Sequence, residues 1–205
     1  YLYNSFDFVL LSLAMEEASG IPFEDYVREK VLAPLGLTNT FTPCQVERSR
    51  DLLHDKNSNE VSTRLDLRCS QFYTKNATGF RKAVNVNNFY KLAGGGYLST
   101  SEDIAKMGQA ILNQRLLKKQ TYEQLLTAQT VHDKSTFYGL GFQVSQDSQG
   151  RPFIGHVGSS VGAYTNLFVN PKEKLVSSIL INCTDPKIQT DLDKAYESIS
   201  VESIA

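Results

Sequence analysis

Residues 153–182 read FIGHVGSSVGAYTNLFVNPKEKLVSSILIN, and the way apolar runs alternate with turn residues there decides the fold class. Phe153 to Val157, Ala163 to Asn170 and Leu175 to Asn182 read as strands. The Gly158 to Gly162 stretch and Asn170-Pro171-Lys172-Glu173 are the turns between them. A further strand is predicted just upstream, over Tyr138 to Ser145, ended by turn material at Asp147 to Gly150. Turns at such regular spacing imply consecutive antiparallel strands. Beyond them Asp185-Pro186 opens a closing helix with Ile188, Leu192, Ala195 and Ile199 on one face.

The period changes upstream of this region. Ser5 to Ser19 reads as a helix, with Phe8, Leu11 and Met15 on one stripe and Gly20 as its stop. Pro22 suits the first position of a second helix, with Glu24 and Asp25 at the positive end of its dipole. That helix should end by Leu32, because proline at 34 disfavours helical geometry in the residue before it, and Pro34 to Leu37 should turn. Thr38 to Asn88 reads as a long loop-rich excursion with scattered anchors at Leu65, Leu67, Phe72 and Tyr73, and with room for short strands. After Gly94-Gly95-Gly96, two overlapping capping boxes, Ser99 with Glu102 and Thr100 with Asp103, start a helix whose stripe is Ile104, Met107 and Ile111. A shorter helix spans Gln120 to Ala128. Helices first, then an antiparallel sheet, then a closing helix imply one sheet with helices packed on it. Residues 1–130 form the mostly helical, loop-rich region and 131–205 the sheet with its closing helix.

Composition excludes several classes of function. The 205 residues carry 21 Lys and Arg against 22 Asp and Glu, a net charge of −1, which gives no footprint for nucleic acid or an anionic membrane. The apolar run from Phe8 to Met15 is broken by Ser12 and too short to span a bilayer. Cys44, Cys69 and Cys183 are widely spaced and lack metal-ligand spacing, so they read as isolated thiols and no cofactor is expected. Two glycosylation sequons occur, Asn76-Ala77-Thr78 in a loop and Asn182-Cys183-Thr184 in a strand.

Taken singly, the residues able to do chemistry have plain structural explanations. Tyr3 alone reads as a packing tyrosine and His156 as an ordinary core or surface histidine. Gly94 to Gly96 lacks the Lys-Ser/Thr that would complete a phosphate cradle, so it reads as a tight turn before a capped helix.

Their order says more. Tyr3-Asn4-Ser5 leads into Val9 to Ser12, followed by Ala18-Ser19-Gly20 and Pro34 to Leu37. Then come Ala93 to Thr100 with Asp103, Tyr138-Gly139-Leu140-Gly141-Phe142 and Gly155-His156-Val157-Gly158. In this order the blocks resemble the β-lactamase-related serine hydrolases: class C β-lactamases, penicillin-binding carboxypeptidases and related esterases. Asn88 to Gly96 looks most like the mitochondrial serine β-lactamase-like branch. The resemblance implies an α/β chain of the α+β type, an antiparallel sheet with packed helices plus a helical region, β-lactamase/transpeptidase-like and incomplete at its N-terminus.

The family's Tyr-x-Asn or Tyr-x-Ser motif falls on Tyr3 and Ser5, and its Lys-Thr-Gly or His-x-Gly motif on His156 and Gly158. By the same resemblance Tyr3 and His156 are catalytic, Ser5, Gly158 and Ser159 bind substrate, and the Ser159 N–H is an oxyanion-hole donor. Gly158 would let a substrate backbone approach closely. Losing such a donor typically costs ~2.7–4 kcal/mol in an acyl-transfer barrier. A phenol titrates near ~10, so Tyr3 accepts a proton at neutral pH only beside positive charge. His156 would supply a hydrogen bond or charge more weakly than lysine. Ser5 stands where asparagine is more familiar, which argues for esterase or peptidase activity over β-lactam hydrolysis. The family's Ser-x-x-Lys occurs nowhere in the 205 residues and is expected upstream of Tyr1.

The expected function is that of the C-terminal part of a serine hydrolase, inactive as this piece, acting on a small-molecule or peptide acyl substrate. The alternative is a non-catalytic binding or filament-forming structural module, with a homo-oligomer or filament as its assembly. The resemblance favours a mitochondrial location, with a secreted or extracytoplasmic one as the alternative.

Overall fold

Asn4 starts the first helix by accepting the Phe6 N–H on its Oδ1 at 3.0 Å. This helix, α1 (Ser5–Ser19), stops where Gly20 turns left-handed at φ +66° and donates its N–H to the Glu16 carbonyl. The structure is a computed structural model that describes residues 1–43, 69–146 and 150–184, together with 190, 191, 194, 195 and 198. The face that α1 buries differs from the apolar stripe. Ser12 is buried and Phe8, Val9 and Glu16 are half-buried, whereas Leu11 is 56% and Met15 38% exposed. Polar anchors set this rotation. Glu16 accepts the Phe23 N–H at 2.7 Å and so must face the next helix, and Ser12 satisfies its hydroxyl on the Val9 carbonyl.

The second helix is continuous past the point where proline should stop it. α2 (Phe23–Val27) begins one residue after Pro22, which is the cap rather than the first helical residue. It passes through a π-helical turn, Arg28–Leu32, into α3 (Ala33–Leu35), which contains Pro34 and ends at Gly36. In the π turn the Ala33 N–H reaches back to the Arg28 carbonyl, one residue further than in an α-helix. That widening gives the proline ring space it would lack in a regular helix. Leu35 and Leu37 then enter the core beside Ala110.

Residues 44–68, with Cys44, Leu65 and Leu67, lie outside the described residues. The remainder of the Thr38 to Asn88 excursion holds an antiparallel hairpin, β1 (Tyr73–Asn76) and β2 (Gly79–Lys82), with the Asn76 sequon beside its tip. Tyr73 ties the hairpin to the main sheet: its N–H donates to the Asn182 carbonyl and its carbonyl accepts the Thr184 N–H. Asn182 of the second sequon spends its amide on the Gln71 carbonyl. A 3-10 segment, Phe89–Gly94, follows and packs on α1.

Of the two capping boxes, Thr100 wins. It caps α4 (Ser101–Leu112) by accepting the Asp103 N–H. Ser99 is already engaged with the Thr40 hydroxyl at 2.8 Å. Asp103 is fully buried and accepts from the Asn39 N–H at 2.7 Å and the Thr40 hydroxyl at 3.0 Å. The shorter helix is α5 (Lys119–Leu125), followed by a small hairpin, β3 (Thr130–Val131) with β4 (Lys134–Ser135), which the sequence pattern did not suggest.

The main sheet is antiparallel in the order β5 (Gln143–Gln146), β6 (Pro152–Ser160), β7 (Ala163–Asn170), β8 (Leu175–Ile181), with α4 packed against β7 and β8. The arrangement is the expected one, with two local corrections. Tyr138 to Ser145 is not one strand: Tyr138 bridges to Gln143 and the chain turns between them. Gly158 to Gly162 is not all turn either, because β6 runs to Ser160 and Val161 and Gly162 alone connect it to β7. A β6 strand that long carries Gly158 and Ser159 within the ladder. The described residues of the closing helix, 190, 191, 194, 195 and 198, are helical, though Ala195 is exposed rather than on a buried face. Cys183 is buried and Cys69 half-buried, and no metal-binding cluster occurs among the described residues.

Candidate active site

Register on β6 decides which of its backbone groups are free. β5 pairs with β6 only as far as Gln143 opposite Gly155, so among the described residues no strand pairs with 156–160 on that side. On the other side every residue from Ile154 to Ser160 pairs with β7. Antiparallel ladders alternate hydrogen-bonded and non-hydrogen-bonded pairs, and the two-residue connection makes Ser160 and Ala163 a bonded pair. Counting back, Ser160, Gly158 and His156 spend their backbone groups on β7. Val157 and Ser159 therefore direct theirs to the open edge, as an oxyanion-hole N–H at Ser159 requires.

Two pieces of chain bring aromatic side chains to this edge. Tyr3 arrives just ahead of the α1 cap. The helix can lie close to the 3-10 segment because Gly94 has no side chain: a Cβ there would sit 2.8 Å from the Ser5 carbonyl oxygen. Tyr138 arrives on the loop after α5, where the Leu140 N–H donates to the Leu125 carbonyl and buried Gly139 lies directly against that carbonyl. The Tyr3 ring is then 5.6 Å from the His156 ring and 5.6 Å from the Tyr138 ring, centroid to centroid. Tyr1 and Phe8 complete the cluster at 6.1 Å from Tyr138 and Tyr3 respectively.

Within the cluster His156 bonds to Tyr138 rather than to Tyr3. Tyr138 Oη lies 2.9 Å from His156 Nε2, and His156 Nδ1 lies 2.7 Å from the Val157 carbonyl oxygen. A carbonyl can only accept, so Nδ1 carries a proton. In the neutral ring Nε2 then accepts from the Tyr138 hydroxyl. Burial, and after it the neighbouring Tyr3 and Tyr1 phenols, push the Tyr138 phenol well above its ordinary value. Tyr138 therefore stays protonated at neutral pH as the donor of this bond. Tyr1 is raised in the same direction, by burial and then by Tyr3.

Of the five residues singled out from sequence, the structure thus brings Tyr3 and His156 together beside the edge that carries Gly158 and Ser159. Ser5 is exposed at the first position of α1, two residues beyond Tyr3. Gly158 has a structural reason of its own, since a Cβ there would lie within 2.4 Å of Thr165 Oγ1 on β7. Tyr138 was not recognised as a site residue, although it opens the block Tyr138 to Phe142. The signal lay in that block. A wide cleft of about 530 Å³ lined by Gln120, Glu123, Gln124, Thr127, Gln129 and Leu140 contains none of the ring cluster.

Set beside known proteins, residues 1–199 match the family model described as Beta-lactamase. The Mus musculus protein named "Serine beta-lactamase-like protein LACTB, mitochondrial" is 29% identical over 216 residues, covering 91% of this chain and 35% of that protein. A "Putative D-alanyl-D-alanine carboxypeptidase" of Escherichia coli O157:H7 is 27% identical over 177 residues, covering 78% of this chain and 38% of that protein. FmtA from Staphylococcus aureus superposes with a TM-score of 0.75 at 17% identity, over 99% of this chain and 49% of the other, a likeness of fold alone. The chain thus spans between 35% and 38% of the length of these curated relatives.

Proposed function

This chain belongs to the β-lactamase family of serine hydrolases, and on that premise we propose that it supplies the proton-transfer tyrosine and the oxyanion strand of an acyl-enzyme peptidase or esterase. The observation that carries the reading is the approach of Tyr3 to His156, 5.6 Å between rings, beside the unpaired edge of β6. No Ser-x-x-Lys occurs in the 205 residues, so on this reading the serine and lysine are supplied from outside them and the isolated piece is expected to turn nothing over. The serine hydroxyl adds to the substrate carbonyl and its proton passes to Tyr3 Oη, a transfer that needs the positive charge of the family's Ser-x-x-Lys lysine beside the phenol. The Ser159 N–H receives the oxyanion, and Tyr3 returns the proton to the departing alkoxide or amine as the acyl–enzyme bond forms. Water, giving up a proton by the same route, then releases the acid and restores the serine. Tyr3 suits the role of base better than Tyr138, whose phenol burial holds protonated.

The substrate is a small-molecule or peptide acyl compound. The mitochondrial designation of the animal relative supports a mitochondrial location. A second reading is a non-catalytic binding or filament-forming module, which would use the side chains of Leu10, Leu11 and Leu13 on α1, 65%, 56% and 56% exposed in these 205 residues. Labelling of the full-length protein with a fluorophosphonate separates the two. A covalent adduct is expected, with Tyr3→Phe lowering kcat by ~10²–10⁴-fold. A protein that takes no label and hydrolyses no ester is the assembly module.

A further inference from the structure

Resting on the hydrolase reading, we propose that Tyr138 is a proton conduit from Tyr3 to His156, so that acylation drives a proton along the line Tyr3, Tyr138, His156 and leaves it on Nε2. The direction of the line follows from which atoms hold hydrogens. His156 Nδ1 holds the hydrogen of the neutral ring, 2.7 Å from the Val157 carbonyl oxygen, so Nε2, 2.9 Å from Tyr138 Oη, is the acceptor. Tyr138 spends its one hydroxyl hydrogen on Nε2, and its oxygen is left to accept from the next group. That group is Tyr3, whose side chain hydrogen-bonds to Tyr138 and whose ring lies 5.6 Å from the Tyr138 ring. The Tyr3 hydrogen therefore points to Tyr138, and the lone pairs of Tyr3 Oη are kept for the serine. Each bond in such a chain polarises the next. The lysine charge that the first transfer needs also makes the Tyr3 hydroxyl a stronger donor along it.

As the serine oxygen adds to the acyl carbon, the carbonyl electron pair moves onto the oxygen held by the Ser159 N–H. The serine proton passes to Tyr3 Oη, the Tyr3 proton to Tyr138 Oη and the Tyr138 proton to His156 Nε2. Expulsion of the leaving group runs the line in reverse, and Tyr3 protonates the departing alkoxide or amine. Burial, and after it the neighbouring phenols, hold Tyr138 protonated, so it releases its proton to His156 only as it receives one from Tyr3. The scaffold is built to hold this alignment. The Gln129 N–H donates to the Tyr138 carbonyl at 2.8 Å and the Tyr138 N–H to Thr136 Oγ1 at 3.2 Å. The half-buried Tyr138 and His156 rings meet edge to face at 5.7 Å. The Val157 carbonyl fixes the tautomer, the part a carboxylate plays in a Ser-His-Asp triad. Because it acts through Tyr3, Tyr138 is a positioning residue.

Hydrolysis of phenyl butanoate by the full-length protein, in mixtures of H2O and D2O, tests this. With several protons in flight, a plot of wild-type kcat/KM against deuterium fraction should curve. Tyr138→Phe keeps the ring and removes the conduit. It should lower kcat/KM by about tenfold or more and turn the plot into a straight line. A merely structural role would lower the rate and leave the curvature. In 15N NMR of histidine-labelled protein, wild-type His156 should carry its proton on Nδ1, and Tyr138→Phe should move the Nε2 resonance. A straight wild-type plot, curvature that survives Tyr138→Phe, or an unmoved Nε2 resonance where that variant is too slow to plot, overturns the conduit alone. Absence of wild-type turnover overturns the hydrolase reading and the conduit with it.

Discussion

Gly158 carries two competing explanations, and a double-mutant cycle separates them. Sequence reasoning gave it to the substrate, as a gap through which a backbone approaches the strand. The structure shows another occupant for the same space: an ideal Cβ at 158 falls 2.4 Å from Thr165 Oγ1 but 3.8 Å from Thr165 Cβ. Gly158→Ala should therefore overpack the β6–β7 pair and destabilise the protein by about 1–3 kcal/mol. In a chain of this size each kcal/mol lowers the Tm by about 2–4 °C. Thr165→Ala removes Oγ1 and leaves the 3.8 Å contact, which is ordinary packing. The double variant should recover most of the loss, a coupling of about 1–2 kcal/mol measured by denaturant titration of the four proteins. A double variant no more stable than the sum of its parts would refute the steric argument. If stability returns but ester hydrolysis does not, the glycine serves the substrate as well as the sheet.

Asp103→Ala should cost about 3 kcal/mol in urea denaturation, because it leaves the Asn39 N–H and the Thr40 hydroxyl without their acceptor in the core; a loss below half of that would show that water or the Ser99 hydroxyl takes over. Tyr97 is pushed up to about 12 by burial and, second, by Glu24, so it stays neutral in the folded protein while an unfolded tyrosine ionises near ~10. Its contribution is complete below the unfolded value and is lost as pH rises from ~10 through about 12, since the unfolded chain binds fewer protons across that window. Tyr97→Phe should flatten this alkaline decline in melting temperature. It should cost little at neutral pH, because the buried hydroxyl has no hydrogen-bond partner among the described residues. An unchanged alkaline slope would assign the loss to other groups.

Some of this molecule was written locally and some was not. Period-2 runs, turn residues and a glycine stop are properties of neighbouring residues, so β7, β8, the turn between them and the whole of α1 were legible from the chain. The order of the motif blocks likewise pointed to Tyr3, His156 and the strand beyond it. Three features were decided by hydrogen bonds that the residue pattern does not reveal, two of them between residues five and seven apart and one between residues 18 apart. Pro34 stays helical because a π turn opens ahead of it, and α1 presents Ser12 and Glu16 inward because Glu16 caps its neighbour. The third is the partner of His156. That residue lies 18 positions upstream on a loop held by α5, and the bond exists because tertiary packing carries the Tyr138 hydroxyl to Nε2. A sequence specifies which groups can donate and accept within a few residues of one another. Which distant donor meets which acceptor is settled when the sheet edge, the helix and the loop are packed into one volume, because hydrogen bonding acts only over about 3 Å.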